Sequence, residues 1–83
     1  MFRRAIVQGT YEGKPETFYF LEVKEDAWVG TNRLAENREE SEWLAAESGH
    51  FKNGVIEVKT LMMTMNERFI RQNNDDVEIL DPA

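Results

Sequence analysis

The chain has 83 residues, 41% hydrophobic and 11% aromatic, with a net charge of −6 and no cysteine. A chain of this length is one small domain, residues 1–83, able to bury only about 60–65% of its unfolded surface. The missing cysteines exclude disulfide staples, thiol catalysis and cysteine-based zinc sites, and no apolar run is long enough for a transmembrane helix. The N-terminal apolar run is too short for a secretory leader, and a small domain without staples suits a cytoplasmic setting.

The first two elements read as a β-hairpin. "AIVQGTY" and "ETFYFLEVK" are β-branched and aromatic runs either side of "EGKP", a glycine-containing turn. A tip at Gly13-Lys14 sets Thr10 across from Thr17, Gly9 across from Phe18 and Val7 across from Phe20. Ala5, Val7, Phe18 and Phe20 then share one face, while Ile6, Leu21 and Val23 share the other. The second strand is thus apolar on both sides, although a sheet with one wet face needs only one apolar row.

"KEDAWVGTN" follows as a charged turn and a short strand or loop carrying Trp28. The next stretch predicts a helix at about residues 32–48, ending at Gly49 as a C′ residue. Thr31 or Asn32 would cap a long helix. Asn37 and Glu40, at capping-box spacing, would open a shorter one. Asn53-Gly54 is a tight-turn signal leading into the strand "VIEVKT". The segment "LMMTMNERFIRQ" has two readings. As a helix capped by Thr60 it aligns Leu61, Met62, Met65 and Phe69. As strands it turns at Asn66-Glu67 into "RFIRQ", then at "NNDD" into "VEIL", and the unbroken run into Leu61 favours this version. The expected class is α+β, a small antiparallel, curled sheet built from the N-terminal hairpin and C-terminal strands, packed with one helix.

The acidity is localised. Residues 36–47 hold five glutamates and one arginine, and residues 75–81 hold four acids and no base. Together they carry −8 in a chain that totals −6, so the remainder is +2. Direct binding to nucleic acid or to an anionic membrane is disfavoured, because phosphate contacts need clustered lysines and arginines. A protein with a basic surface is the favoured partner.

Little here carries catalysis. His50, the only histidine, stands in a turn near Ser48, and adjacency alone provides neither the geometry nor the orienting third group of a nucleophile pair. The glycines fit no phosphate loop or dinucleotide fingerprint, and "NNDDVEILD" lacks the spacing and the glycine of a calcium loop. Glu22 and Glu57 lie in predicted strands and could pair as acid and base, but exposed strand glutamates are the ordinary reading. No cofactor and no metal is expected, and the chain reads as a non-enzyme.

Two features could bind. On a helix running from about residue 33, Glu36, Glu40, Trp43 and Glu47 fall on one stripe with Glu39 at its edge, opposite Leu34, Ser41 and Ala45. A tryptophan among carboxylates resembles an interaction hot spot. On the shorter helix, Trp43 with Leu44 and Ala46 would instead tuck against the sheet, and tryptophan's average burial favours that placement. The second feature is the cluster Met62, Met63 and Met65, adaptable side chains expected to cover Leu21 and Val23. The functional expectation is a small acidic interaction protein docking on a basic partner through Glu36, Glu39, Glu40, Trp43, Glu47, Asp75 and Asp76. A regulator or inhibitor that mimics nucleic acid is one form of it. The alternative is an assembly subunit that self-associates, as a homo-oligomer, through the hairpin's apolar face or a sheet edge.

Overall fold

The computed structural model describes residues 3–47, 51–52, 55–56 and 64–81. Its elements are β1 (Arg4–Tyr11), β2 (Lys14–Lys24), β3 (Ala27–Thr31), α1 (Arg38–Glu47), β4 (Phe51–Lys52), β5 (Val55–Ile56), α2 (Glu67–Gln72) and β6 (Asp76–Leu80). The class is α+β. An open four-stranded sheet runs β3-β2-β1-β6, and β4 and β5 form a separate two-stranded ladder. All pairings in both sheets are antiparallel.

The hairpin forms, with its turn one residue earlier than the sequence reading places it. Tyr11 pairs with Lys14, Val7 with Phe18 and Ala5 with Phe20. The tip is Glu12-Gly13, both at positive φ, 52° and 78°, the two-residue geometry whose twist matches that of the strands. Lys14 cannot take the left-handed position because it precedes Pro15, which biases it toward extended backbone. The register therefore moves by two residues and every side chain keeps its face. Phe18 still covers Gly9, now diagonally: a Cβ on Gly9 would lie 3.2 Å from the Phe18 ring and 2.4 Å from Asn74 Oδ1.

Both apolar rows of β2 pack within the chain, Leu21 and Val23 buried and Phe18 and Phe20 half-buried. Leu21 and Val23 pack with Val29 of β3 and with Ala35, Leu44 and Ala45. On the opposite face, Ala5, Val7, Trp28 and Ile70 form a second cluster flanked by Phe18, Phe20, Met65, Val77 and Ile79. Each fully buried aliphatic or aromatic side chain contributes about 1.5–3 kcal/mol. The expectation for Met65 is corrected. Among the described residues Leu21 and Val23 are covered by Ala35 and α1, and Met65 packs on the other face. Met62 and Met63 lie outside the described residues.

The segment "RFIRQ" is not a strand but most of α2. Asn66 caps it, its side-chain Oδ1 accepting from the Phe69 N–H at 2.8 Å. The Glu67 N–H donates to Asp26 Oδ1 at 2.8 Å, a cap supplied from the β2–β3 turn. Satisfying these first-turn donors favours helix over a glycine-free hairpin turn at the same residues. The sheet thus packs against two helices, one per face, where the sequence reading has one. The turn at 73–75 and the strand after it are found as expected. His50, Gly49, Glu57 and the Asn53-Gly54 turn lie outside the described residues, although Lys52 and Val55 on either side of that turn do pair.

Glu22, read from the sequence as an exposed strand residue, is buried, with 2% of its surface accessible. Arg3 forks onto it, Nε to Oε1 at 2.8 Å and Nη2 to Oε2 at 2.6 Å, and the Asp26 N–H donates to Oε2 at 2.9 Å. Burial pushes the Glu22 carboxyl up, but the hydrogen bonds from Arg3 and Asp26 and the Arg3 charge outweigh it and hold the group below its ordinary value. The Arg3 guanidinium also lies over the Trp28 ring, 5.4 Å from its centroid.

Two outcomes are expected. Glu12→Asn, which suits positive φ better than glutamate, should stabilise the fold by about 0.5–1 kcal/mol and raise Tm by a few degrees. Because the folded carboxyl of Glu22 titrates below the unfolded one, its contribution is whole above the ordinary glutamate value of 4.5 and is lost as pH falls through the folded value. Glu22→Gln should therefore cost about 2 kcal/mol at pH 7 and flatten the acid limb of stability measured by urea melts from pH 7 to pH 3.

Candidate functional site

Helix α1 starts late because its cap is strong. Asn37 Oδ1 accepts from the Glu40 N–H at 2.9 Å, and Glu40 Oε2 accepts from the Glu36 N–H at 2.7 Å. This is the reciprocal bonding of a capping box, reaching one residue further back. The shorter helix of the two sequence readings is the one that forms.

Its buried side is Ser41, Leu44 and Ala45, at 1%, 3% and 0% accessibility. Two of these are small, so the helix axis lies close to Leu21, Val23 and Val29. The Ser41 hydroxyl returns its hydrogen bond to the Asn37 carbonyl at 3.0 Å instead of leaving a donor unpaired. At about 100° per residue, Trp43 lies some 200° from Ser41 and faces away from the sheet. It is 52% exposed. The shorter helix was expected to bury Trp43 with Leu44 and Ala46; instead only Leu44 of the first two turns inward, because Ser41 and Ala45 set the helix rotation.

The exposed ring is nonetheless held in place. The Arg33 guanidinium stands over it, 5.4 Å from the centroid, and pairs with the Glu40 carboxylate. Glu40 is therefore at once the helix-capping group and the anchor of the arginine that covers Trp43. Arg33, Asn37, Glu39, Glu40 and Trp43 line an open recess of about 350 Å³. Such exposed cation–π and ion-pair contacts are each worth no more than about 1 kcal/mol, enough to orient a side chain.

The stripe anticipated from the sequence is present for Glu39, Glu40, Trp43 and Glu47, which stand at i−4, i−3, i and i+4. Glu36 precedes the cap and belongs to the approach to the helix. Two acids here are neutralised within the chain, Glu40 by Arg33 and Glu42 by Arg38 at 3.3 Å. Glu36, Glu39 and Glu47 are exposed, and no ion pair engages them among the described residues.

Asp75 and Asp76 are not part of this surface. Asp75 ends the turn before β6 and Asp76 begins the strand, where Asp76 pairs with Gln8 and the Asp75 N–H donates to the Gln8 carbonyl at 3.0 Å. The chain leading into α1 is tied instead to Arg4, whose Nη1 donates to the Ala35 carbonyl at 2.6 Å. Gln8 and Arg4 are four residues apart on β1, about 13 Å along the strand. Asp75 and Asp76 thus stand at the Gln8 end of β1, whereas the far end of the same acidic segment, Asp81, returns to Arg4, whose Nη2 contacts its carbonyl at 3.5 Å.

Sequence reasoning missed Arg33, whose role required knowing that residues 32–37 stay outside the helix and fold back along it. The capping-box spacing of Asn37 and Glu40 was the available signal. Among the described residues no group of three potential ligands could hold a metal ion, and no helix is long and apolar enough to cross a membrane. No family model, curated protein or solved structure significantly matches this chain.

The two tryptophans should behave as opposites. Trp43→Ala should leave Tm within about 2 °C, as for a surface change, while Trp28→Phe should lower it by about 5–15 °C through the cavity left in the core. Acrylamide should quench the fluorescence of the Trp28→Phe protein, which reports Trp43, far more than that of Trp43→Phe.

Proposed function

We propose that this chain is a non-enzymatic interaction protein that docks on a basic surface of a partner protein through the outer face of α1. The supporting observation is Trp43: a large ring left half in solvent, held by Arg33 and Glu40, and surrounded by the uncompensated carboxylates of Glu36, Glu39 and Glu47. Burying such a ring provides the affinity of a hot spot. The carboxylates steer and align a cationic partner. Neighbouring acids on one helix face, about 5–6 Å apart, offer a basic protein a coarse likeness of a phosphate strip, so a regulator competing with nucleic acid for its target is the concrete form of this reading.

The non-enzymatic part of the reading draws on Glu22. Its carboxyl is held below the ordinary glutamate value, with both oxygens engaged by Arg3 and Asp26. A general base working near neutrality needs the opposite shift and a free oxygen. Self-association through the hairpin's apolar rows gains no support either, since α1 and α2 cover those rows. Among the described residues no strand pairs with the outer edge of β6.

The test uses proteins cross-linked to the full chain at low salt, followed by kinetics on each. Glu36→Lys or Glu39→Lys should slow association several-fold, and raising the salt should erase the difference. Trp43→Ala should speed dissociation by about tenfold or more. Glu40 is avoided because its loss would unpick the helix start. Unchanged association in both charge reversals, with unchanged dissociation for Trp43→Ala, would refute the proposal.

A further inference from the structure

Strand β6 closes one side of the sheet, and the hydrogen-bond register shows which of its groups face outward. In the β1–β2 register Arg3 falls opposite Glu22, and the Glu22 N–H donates to the Arg3 carbonyl at 2.8 Å. Odd-numbered residues of β1 therefore bond to β2 and even-numbered ones bond to β6. Arg4, Ile6 and Gln8 pair with Leu80, Glu78 and Asp76, so the N–H and C=O groups of Val77 and Ile79 point away from the sheet. The Val77 carbonyl receives a long contact from Arg71 Nη1 at 3.4 Å. Among the described residues no side chain bonds the Val77 N–H or either main-chain group of Ile79.

The side chains along this edge alternate in character. Asp76 and Glu78 are exposed on the α1 side, and Val77 and Ile79 are half-buried on the α2 side, against the cluster of Ala5, Val7, Trp28 and Ile70. A strand added here would extend that cluster with its own apolar row while setting its other row beside two carboxylates. A second copy of this chain is disfavoured in two of the three nearest antiparallel registers. The antiparallel register that overlaps all of β6 is centred on Glu78 and opposes that carboxylate to itself, and sliding by two residues toward the strand start opposes Asp76 to Glu78. Like charges directly opposite destabilise a strand pair, whereas opposite charges stabilise it.

We infer that the edge of β6 is a strand-acceptor site for an extended segment of another protein in which basic and apolar residues alternate. Main-chain bonds to Val77 and Ile79 supply the pairing, and Asp76 and Glu78 select a basic row and disfavour self-pairing. This site is separate from Trp43 and does not rest on the α1 reading.

The experiment uses the full chain and two end-blocked peptides of about seven residues, one alternating lysine with valine and one with the same composition in two blocks. Amide exchange by NMR reads the Val77 and Ile79 N–H groups. The alternating peptide should protect both, and the block peptide should not. Ile79→Pro removes an outward N–H without breaking the ladder to β1. It should abolish binding, while Ile79→Ala, which trims the same side chain, should keep it within about threefold. Glu78→Lys should weaken binding roughly tenfold, and it decides the matter should Ile79→Pro not fold. Equal protection by the block peptide, or binding indifferent to Glu78→Lys, would overturn the inference. So would protection of Val77 and Ile79 without peptide in a protein that runs as a dimer.

Discussion

Phe18 and Phe20 point to one side of β2 while Leu21 and Val23 point to the other, and a chain of 83 residues has to cover both. A sheet layer with a single helix layer would leave one of these rows in water, at a cost of about 1.5–3 kcal/mol for each large side chain. The chain meets the constraint by placing α1 over Leu21, Val23 and Val29 and a short α2 over the phenylalanine side, with Trp28 filling the space beneath. Among the described residues the arrangement leaves few apolar side chains over: Tyr11, Trp43 and Phe69 are the large ones exposed.

A polar chain closes the phenylalanine side. Arg3 lies on Trp28 and forks onto Glu22, Glu22 accepts from the Asp26 N–H, and Asp26 in turn accepts from the first turn of α2. Each group ties together parts of the chain distant in sequence, so this network locates α2 relative to the hairpin where contact area alone is small. A buried ion pair of this kind is not a large net source of stability, because desolvating both partners offsets much of their attraction. Its value lies in directionality, since an apolar substitute would not specify which turn of the chain α2 must meet.

The same economy separates the surfaces available to partners. On α1 the anchor is a side chain, Trp43, and the surrounding charge is fixed in position by a capping residue and its arginine. On β6 the anchor is the main chain, and the charges decide which strand may add. One surface selects by shape and long-range attraction, the other by alternation of residue character.

Much of this was legible in the chain itself. Alternating β-branched and aromatic runs around "EGKP" specify the hairpin and its faces, because side-chain period depends on local geometry alone. Asn37 and Glu40 specify where α1 begins, and the stripe of Glu39, Glu40, Trp43 and Glu47 follows from helical period. The turn position was recoverable from Lys14 preceding Pro15. What tertiary structure alone decided is which of two equally hydrophobic residues is buried. Trp28 fills the core because β3 sets it beneath Arg3 and α2, and Trp43 stays outside because Ser41 and Ala45 are small enough to let α1 approach the sheet. Likewise Glu22 became an interior ion pair only when the fold brought Arg3 to it. Local periodicity says which residues share a face; only long-range packing says which face is wet.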